Sequence, residues 1–508
     1  MEKPSLEIGN SNWAIKEGEL LGYNRVGNDY LPIPITMTRA SLGTRVNPEG
    51  LVNYAEILGS EEVTDGGFPA GTTAWAVTDG TVTFNNEATF DINSKIRQNI
   101  FDIGKVYKFT YEVTENTGGM TLRFYNGAAY TFVDNSVGIH TVYLTATSNT
   151  YFYISTLSGT SLTLKSVSVK EATIDNLARV DYTDGTSSLL AEPQRTNDFT
   201  QSNDFANVYW SKSSSAIDTS IGTDGIQSNI STSPDGTINA DRVNFLLQSD
   251  KDIGLAKSIG SSAGVTHSFS GYLKGEGSNI GKDVIIRVKR SSGGSYVAVN
   301  KTITLTSIWQ RVELDPLTLV TDNIGVRIIL SSNDATNCLV YGFQIEEGSY
   351  PTSYIPTSGS TVTRNQDIFT RDGIGSLINS TEGVLFVEIA FSDAGRLAIL
   401  NSDASDDQVV LGFSGTVFCR IRENGANVVT QFVSSANQLN TYYKIAVKYK
   451  SGSSAIWVDG NETVVAGTFT LNDLSKILFI SEGSRTYGKV KQLQVYKTTD
   501  IDLAALTS

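Results

Sequence analysis

The sequence predicts an all-β protein made of three tandem antiparallel jelly-roll or β-sandwich domains, with an extended N-terminal segment and linkers. Apolar and polar residues alternate in KFTYEVTE (108 to 115), DVIIRVKR (283 to 290), GVLFVEIAF (383 to 391) and YYKIAVKY (442 to 449), which is the period of a half-buried strand. Clusters such as ENTGG and SGSS separate these runs, and the 46 glycines suit the turns. A chain of 508 residues is too long for one core, so several domains are expected.

A repeated pattern marks the end of each strand-rich region. The segments VSVKE (167 to 171), FQIEE (343 to 347) and LQVYK (493 to 497) match one another, and a similar pair of strand patterns precedes each of them. Their spacing suits one sandwich plus a connector rather than a short solenoid repeat. We therefore expect three sandwiches of related plan.

The domain boundaries follow from these repeats. After the strand that ends in FQIEE, Pro351 and Pro356 stand among tyrosines, serines and threonines. Prolines fix the chain and remove amide donors, so we expect an extended strap that its tyrosines hold against the domain it leaves. The predicted parts are an N-terminal segment at 1–52, an inserted sandwich at 53–172, a linker at 173–197, a second sandwich at 198–350, a connector at 351–380 and a C-terminal sandwich at 381–508.

The charge balance excludes one class of partner. There are 39 basic and 53 acidic residues, giving a net charge of −14, and no basic run stands out, so no nucleic-acid partner is predicted. The start, MEKPSLEIGN, lacks a signal pattern, and no window approaches the roughly 18 apolar residues of a membrane helix. We expect synthesis in a cytoplasm and no membrane insertion. Cys338 and Cys419 are interpreted as buried hydrophobic residues without a disulfide.

Motifs that carry catalytic chemistry are incomplete in this sequence. GSSAG (260 to 264) places Ser262 in a G-x-S-x-G pattern, but polar turn residues flank it where a nucleophile elbow needs a strand and a helix. His140 and His267 are the only imidazoles. GEGSNIGKD (275 to 283) lacks the glycine spacing and the hydroxyl residue of a phosphate loop. No catalytic residue is predicted.

One acidic loop offers candidate calcium ligands. NSDASDDQ (401 to 408) contains Asp403, Asp406 and Asp407, whose carboxylate oxygens are the ligand type that Ca²⁺ prefers. The spacing does not fit an EF-hand, and a solvated acidic loop is the alternative interpretation. Two histidines and two dispersed cysteines exclude a usual zinc cluster. No other cofactor is predicted.

Four segments in fixed order carry a resemblance. TRASLGTRVNPEGLV (38 to 52), LLAEPQRTN (189 to 197), DFANVYWSK (204 to 212) and FQIEEGSYPTSYIPTSGSTVTR (343 to 364) resemble motifs of a modular family of tailed-bacteriophage virion proteins of the tail-fibre or head-fibre type. That family contains carbohydrate-binding-like jelly rolls. The first two motifs are usually close together in it, so the residues between them imply an extra sandwich inserted on a loop, where variable function is common.

The C-terminal region carries a second resemblance. YYKIAVKYKSGSSAIWVDGNE (442 to 462) and GKVKQLQVYKTTDIDLAAL (488 to 506) resemble the laminin-G or concanavalin A-like sandwich family. The resemblance implies a jelly-roll scaffold that permits glycan binding.

Together the resemblances imply a non-enzymatic virion appendage protein that contacts host-surface carbohydrate through lectin-like sandwiches. Residues 1–52 would dock on the virion, and the chain would form a homotrimer or homodimer on the particle exterior. The expected partners are other virion proteins and a host cell-surface glycan. Two alternatives stay open: a capsid or tail decoration or connector protein without host binding, and a virion-associated polysaccharide depolymerase that uses a pair of carboxylates.

The sequence leaves the glycan-contacting residues open. Tryptophans are usual sugar platforms, but Trp75, Trp210, Trp309 and Trp457 lie in segments whose patterns favour a core or edge packing role. Trp13 is interpreted as an anchor to a neighbour.

Overall fold

The chain folds almost entirely into antiparallel strands, so the all-β prediction is confirmed. The computed structural model describes residues 3–10, 13–16, 18–26, 29–247, 250, 252–291, 298–320, 325–402, 406–433, 437–479 and 487–508. Two compact units are present. The first contains Met1–Ala55, Asp175–Arg195 and Thr363–Ser508, and the second contains Glu56–Ile174 and Thr196–Val362. Within the described part, no helix is long and apolar enough to cross a membrane.

Strands follow one another along the first half of the chain. Before the first sandwich lie β1 (Leu6–Gly9), β2 (Ala14–Lys16), β3 (Glu19–Val26), β4 (Asp29–Thr38), β5 (Thr44–Val46) and β6 (Val52–Tyr54). The first sandwich contains β7 (Ile57–Glu61), β8 (Ala76–Asp79), β9 (Val82–Phe84), β10 (Ala88–Asp91), β11 (Lys95–Asn99), β12 (Val106–Thr117), β13 (Leu122–Tyr125), β14 (Tyr130–Val133), β15 (Gly138–Thr145), β16 (Tyr151–Thr156) and β17 (Ser161–Thr173). Three short strands follow: β18 (Arg179–Asp181), β19 (Ser188–Ala191) and β20 (Arg195–Asn197).

Strands also follow one another along the second half of the chain. The second sandwich contains β21 (Ser211–Lys212), β22 (Ile226–Thr232), β23 (Ile238–Asn244), β24 (Leu255–Gly260), β25 (Thr266–Lys274), β26 (Asp283–Ser291), β27 (Ala298–Thr304), β28 (Gln310–Thr318), β29 (Gly325–Ser331) and β30 (Asn337–Glu347). The rest are β31 (Val362–Arg364), β32 (Ile368–Arg371), β33 (Glu382–Phe391), β34 (Gly395–Ser402), β35 (Gln408–Phe413), β36 (Val417–Glu423), β37 (Ala426–Phe432), β38 (Tyr442–Lys450), β39 (Ser454–Val458), β40 (Asn461–Val465), β41 (Leu474–Phe479) and β42 (Gly488–Tyr496). Short helical turns are the 3₁₀ segments Gly277–Asn279 and Gly375–Leu377 and helix α1 (Leu503–Thr507).

The first sandwich packs two sheets through one aromatic core. One sheet has the order β15-β12-β17-β10-β9 with β7 beside β17, and the other has the order β14-β13-β16-β11-β8. Along β12, Phe109, Tyr111 and Val113 are buried while Thr110 and Glu112 between them face outward, as the two-residue period of a strand requires. The core includes Phe109, Phe124 and Phe152, whose ring centroids lie 5.1–5.6 Å apart.

The second sandwich has the same two-layer construction. Its sheets have the orders β21-β24-β29-β26-β27 and β22-β23-β30-β25-β28. Trp210, Phe205 and Phe343 are fully buried between them, with Trp210 and Phe205 centroids 5.1 Å apart. This core explains why the DFANVYWSK pattern marks the beginning of the sandwich.

The predicted strap lies on the second sandwich, after β30. Tyr354 is 3% exposed, and its ring centroid is 5.5 Å from that of Tyr341. Its hydroxyl contacts Ser202 Oγ at 2.6 Å and Asn203 Oδ1 at 2.7 Å. Side chains of β30 satisfy the strap's backbone, since Glu346 accepts the Thr352 amide at 2.8 Å. The tyrosine therefore holds the strap as the sequence predicts.

The C-terminal sandwich shares its sheets with segments that the sequence separates from it. β42 pairs with β33, with β1 through Leu6–Gly9, and with β19 through Leu189–Ala191. β4 pairs with both β3 and β32. Short apolar strands of the segment 1–52 and of the linker 173–197 therefore pair with strands of this sandwich. The predicted domain boundaries stay predictions.

The three predicted repeats share one strand arrangement. In each sandwich a central strand lies between the closing strand and one partner: β12 between β17 and β15, β25 between β30 and β28, and β33 between β42 and β38. The matching segments VSVKE, FQIEE and LQVYK all lie on the closing strands. The related plan of the three sandwiches is confirmed.

A buried ion cluster holds the first unit together. Asp367 binds Arg39 at 2.7 Å and also pairs with Arg179, while Glu192 binds Arg179 and Arg364 at 2.7 Å each. Neither Asp367 nor the three arginine side chains are more than 1% exposed. Each guanidinium also donates to a carbonyl, those of Ser41, Thr44 and Pro193. Residues of the TRAS, LLAEP and TVTR motifs therefore form a structural network.

We expect Asp367→Asn to destabilise the first unit by about 3–5 kcal/mol, because it leaves buried guanidinium charges without compensation. Denaturant unfolding, with hydrogen exchange of peptides spanning 362–371, measures the effect. The matched control is Asp372→Asn, which removes an ion pair between Lys476 and an aspartate that is 61% exposed, and should cost less than about 1 kcal/mol. Equal effects of the two substitutions would contradict the interpretation.

Stability of the same cluster should fall in acid. Burial raises the pKa of Asp367, but the charges of Arg179, Arg39 and Arg364 outweigh burial and hold that pKa below its usual range. A carboxylate with a lowered folded pKa stabilises above its unfolded pKa, about 3.9, and this contribution is lost as pH falls through the folded value. The stability difference between wild type and Asp367→Asn should therefore shrink below about pH 4. Denaturant titrations over an acid series test this, and a widening difference would refute it.

The strap gives a separate prediction. Tyr354→Ala should lower the unfolding free energy of the second sandwich by about 3–5 kcal/mol through lost packing. Tyr354→Phe should lower it by about 0.5–1.5 kcal/mol, because Ser202 and Asn203 lose the tyrosine hydroxyl but keep Thr357 and the Gly342 amide as partners. Thermal and denaturant unfolding measure both. Val208→Ala, at a side chain that is 95% exposed, is the control and should have little effect.

Candidate functional site

One outer face of the first sandwich carries tyrosines and cations in place of ordinary surface residues. The face belongs to the sheet β14-β13-β16-β11-β8. Strand alternation produces it: Phe124 and Phe152 point into the core, and their neighbours in the chain point outward. We call this surface the tyrosine–arginine face. Its members are Lys95, Arg97, Arg123, Tyr125, Tyr130, Phe132, Tyr151, Tyr153 and Ser155.

Strand register arranges these residues in two rows. Arg97 lies opposite Tyr153, Tyr153 opposite Tyr125, and Tyr125 opposite Tyr130, which makes one row across four strands. The second row follows the same strands with Lys95, Ser155, Arg123 and Phe132. Adjacent strands are about 4.8 Å apart, so each row is an extended strip of side chains.

The rings and cations of the face contact one another. The Tyr125 ring centroid lies 5.0 Å from that of Tyr130 and 5.3 Å from that of Tyr153. The guanidinium carbon of Arg97 lies 4.3 Å from the Tyr151 ring centroid, and that of Arg123 lies 4.5 Å from the Tyr130 centroid. These are cation–π distances. The face is therefore a packed array rather than a set of freely rotating side chains.

Hydrogen bonds orient both arginines. Arg97 Nη1 donates to Tyr153 Oη at 2.9 Å, and Arg123 Nη2 donates to Ser155 Oγ at 3.0 Å. The hydrogen bond to Tyr153 raises the pKa of Arg97 above its usual range, so the cation is kept. The Tyr125 hydroxyl donates to Gly127 O at 3.0 Å and accepts from Asn149 Nδ2 at 3.1 Å. These bonds fix the planes of the rings and guanidinium groups.

This arrangement suits binding rather than bond cleavage. Ring faces offer apolar contact, and the remaining N–H groups of the guanidiniums offer directional donors. The two rows contain no carboxylate, histidine or cysteine. Carboxylates and imidazoles, the commonest general acids and bases, are therefore missing from these two rows.

The five tryptophans differ in how deeply they are buried. Trp75 and Trp210 are core residues, 4% and 2% exposed. Trp457 is partly buried under helix α1 beside Leu503, and Trp13 packs against the core of the C-terminal sandwich. Trp309 lies at the outer surface of the second sandwich, where its Nε1 donates to Thr232 O at 2.9 Å. None of these five tryptophans belongs to the tyrosine–arginine face.

Residues considered for nucleophilic catalysis are not assembled into a site. Ser262 is exposed in the turn before β25, so no strand–turn–helix elbow surrounds it. His267 is buried on β25, and burial lowers its pKa. His140 contacts Ser136 O at 2.7 Å on the first sandwich. Both cysteines are free and buried, and burial raises the pKa of Cys419 to about 12, as expected for inert core thiols.

Two carboxylates of the second sandwich have raised pKa values. Burial raises the pKa of Asp241 to about 7, and its oxygens accept the amides of Phe205 and Asn229 at 3.0 and 2.9 Å. Burial, with the charges of Glu347 and Glu346, raises the pKa of Asp198 to about 6. Asp241 therefore connects backbone segments, and Asp198 lies beside the strand that carries the strap.

The predicted calcium ligands are only partly within the described residues, since Asp403 lies outside them. Asp407 is buried and accepts the amides of Asn424 at 2.7 Å and Asn472 at 2.8 Å. Asp406 pairs with Arg422 at 3.4 Å. In the described ranges, no group of three histidine, cysteine, aspartate or glutamate side chains is placed to hold a metal ion. The calcium site stays a prediction.

Sequence reasoning missed the tyrosine–arginine face although a signal was present. KIRQN, LRFY and YFYIS each alternate a core residue with an arginine or tyrosine. The core-facing half of that alternation predicted the strands. The outward-facing arginines and tyrosines were not identified as a site, because only tryptophans were considered as sugar platforms.

Comparisons with known proteins give similar solved structures and no sequence family. No family model and no curated protein sequence match the chain. The tandem CBM22-1-CBM22-2 domain of Paenibacillus barcinonensis Xyn10C is 11% identical, with a TM-score of 0.24, covering 57% of this chain and 98% of that one. Domain 4 of the Geobacillus stearothermophilus arabinanase AbnA, solved with arabinotriose, is 13% identical, with a TM-score of 0.24 and coverages of 32% and 83%. Domains LG4-5 of the mouse laminin α1 chain are 13% identical, with a TM-score of 0.19 and coverages of 49% and 91%. TM-scores of this size carry no functional argument.

Proposed function

We propose that this chain is a non-enzymatic carbohydrate-binding protein and that the tyrosine–arginine face of the first sandwich binds the glycan. The observation that carries the proposal is the row Arg97–Tyr153–Tyr125–Tyr130, which runs across four paired strands. A linear glycan is an extended ligand with apolar C–H faces and polar edges. The row offers tyrosine rings along its length, with the Tyr125 and Tyr153 rings at 84° to each other, and a guanidinium at one end.

Preorganisation supports this assignment. Tyrosine has few rotatable bonds, so a tyrosine surface loses little side-chain entropy when it binds. Here the rings already contact one another and the arginines, and Arg97 is oriented by Tyr153 Oη at 2.9 Å. Binding energy is therefore not spent on ordering the side chains.

The absence of paired acid and base groups from the two rows supports a binding role over a hydrolytic one. Glycoside hydrolysis needs two carboxylates about 5–10 Å apart on either side of the scissile bond. The rows of the face carry cations, tyrosines, Ser155 and Phe132. A saccharide held there would meet no general acid from the face itself.

We propose further that the protein is a tailed-phage virion appendage of the tail-fibre or head-fibre type. The support is the ordered motif resemblance in the sequence, together with the inserted position of the first sandwich between the first two motifs. In this proposal the sandwich contacts host-surface glycan, other virion proteins bind the chain, and the homotrimer or homodimer lies on the particle exterior.

Substitution of the tyrosine row tests the proposed function. Tyr153→Ala and Tyr125→Ala in the full chain should each weaken binding to the recognised glycan by at least about tenfold, as expected for a central aromatic contact. Binding of purified protein to intact host cells and to immobilised polysaccharides measures this, with a parallel assay for released reducing ends. Competition by virions tests the appendage role.

The matched control is Tyr143→Ala on the opposite sheet, where Tyr143 Oη donates to Glu56 at 2.6 Å. It should leave glycan binding unchanged. Loss of binding in the control but not in the row variants would contradict the assigned face. Binding with sugar release would favour a depolymerase, and no binding to cells or glycans would favour a decoration or connector role.

A further inference from the structure

The tyrosine–arginine face has positive charges without local compensation. Lys95, Arg97 and Arg123 all stand on its two rows, and none of them forms an ion pair with a residue in the described part of the chain. The carboxylate nearest in register is Asp79, opposite Lys95 at the sheet edge. It accepts a hydrogen bond from the amide of Gly80 at 3.1 Å. This face is cationic in a chain whose net charge is −14.

Two of these cations converge on a single ring. Lys95 Nζ lies 5.8 Å from the Tyr130 ring centroid, and the guanidinium carbon of Arg123 lies 4.5 Å from the same centroid. Lys95 starts on β11 and reaches toward a ring on β14, across Ser155 and Arg123 of the row. Like charges gathered in this way repel each other, and an anion placed between them removes the repulsion.

The side chains around Ser155 cover it, since Ser155 is 1% exposed, and they bring two cations together at one place on the face. Ser155 is the smallest side chain of its row and is flanked by Lys95 and Arg123 on neighbouring strands. Arg123 uses Nη2 to bind Ser155 Oγ at 3.0 Å, and its Nε is buried, so the N–H groups that a ligand can reach are those of the two Nη atoms. A planar guanidinium with free N–H groups matches the two oxygens of a carboxylate.

The opposite face of the same sandwich is a natural comparison. There Lys108 pairs with Glu56 at 2.5 Å and Lys165 with Glu112 at 3.4 Å. Lys108 and Lys165 therefore have carboxylate partners within the protein, whereas the cations of the tyrosine–arginine face have rings and hydroxyls. That difference leaves the charge of the tyrosine–arginine face available to an external anion.

We infer that the tyrosine–arginine face selects acidic glycans, with the carboxylate of a uronic or sialic acid residue bound by Arg123 and Lys95 beside Tyr130. This inference rests on the proposed function and names the class of its ligand. Neighbouring sugar rings then lie along Tyr125 and Tyr153. Carboxylate is the group favoured over a nucleic-acid phosphate, because three cations in a strongly acidic chain do not form the continuous basic groove that tracks a phosphate backbone.

Matched polymers test the inference with the full chain. Polygalacturonate, polysialate and alginate are each presented beside the same polymer after chemical reduction of its carboxylates, and binding is measured by calorimetry. At least one acidic polymer should bind, and its carboxyl-reduced form should bind at least tenfold more weakly. Equal affinity for the reduced forms, or binding of reduced forms alone, would overturn the acidic preference and leave the proposed function standing. Binding of none of the polymers would contradict both.

Substitutions on the face test which residues recognise the carboxylate. Arg123→Gln and Lys95→Gln should reduce affinity for the acidic polymer at least tenfold while leaving the weaker binding of the reduced polymer unchanged. Tyr125→Ala should weaken both. Lys165→Gln, on the opposite sheet, is the control and should change neither. A preference for dextran sulfate would assign sulfate esters instead of carboxylates, and equal binding of single-stranded DNA through Arg123 would assign a nucleic acid, so either result overturns the inference.

Discussion

The buried ion cluster of the first unit depends on chain segments that are far apart in sequence. Arg39, Arg179 and Glu192 come from before and after the first sandwich, and Arg364 and Asp367 come after the second. A guanidinium or carboxylate buried without its partner costs several kcal/mol. Each of these chain segments must therefore place its charged residue at the same position in the cluster. The chain leaves this unit and re-enters it twice, and Arg179 follows the first re-entry while Arg364 follows the second.

Strand alternation divides each sandwich between packing and function. Inward-facing side chains must fill the core, which leaves the outward-facing half of every strand unconstrained by packing. On the sheet of β12 that freedom is used for ion pairs such as Lys108–Glu56. On the sheet of β16 it is used for tyrosines and for arginines such as Arg123, held by rings and hydroxyls. The difference between two faces of one domain is therefore chemical and not architectural.

Sequence reasoning predicted what depends on local pattern and failed where distant segments meet. The alternation around Phe109 and the closing strand at Ile345 predicted the sandwiches and their repeat, because burial of one strand face is visible in a single segment. The ion pair between Arg39 and Asp367 was not predictable, since the sequence around one residue does not show that the other will lie beside it in the fold. The tyrosine–arginine face required strand register, because Arg97 and Tyr130 become one row only when four strands pair.

Charge at two length scales shapes what this face can recognise. The chain as a whole is acidic, with a net charge of −14, so an acidic polymer is repelled during approach. The Debye length is about 8 Å at physiological salt, so that repulsion fades beyond a few side-chain lengths. At contact, the partly buried cations Lys95 and Arg123 dominate, because burial reduces the screening of their charge. A ligand gains binding energy from Lys95 and Arg123 only when its own carboxylate reaches the ring of Tyr130. Recognition therefore depends on a close fit. Long-range steering toward acidic surfaces is weak in such a protein, and specificity follows from the geometry of one cationic face on an acidic chain.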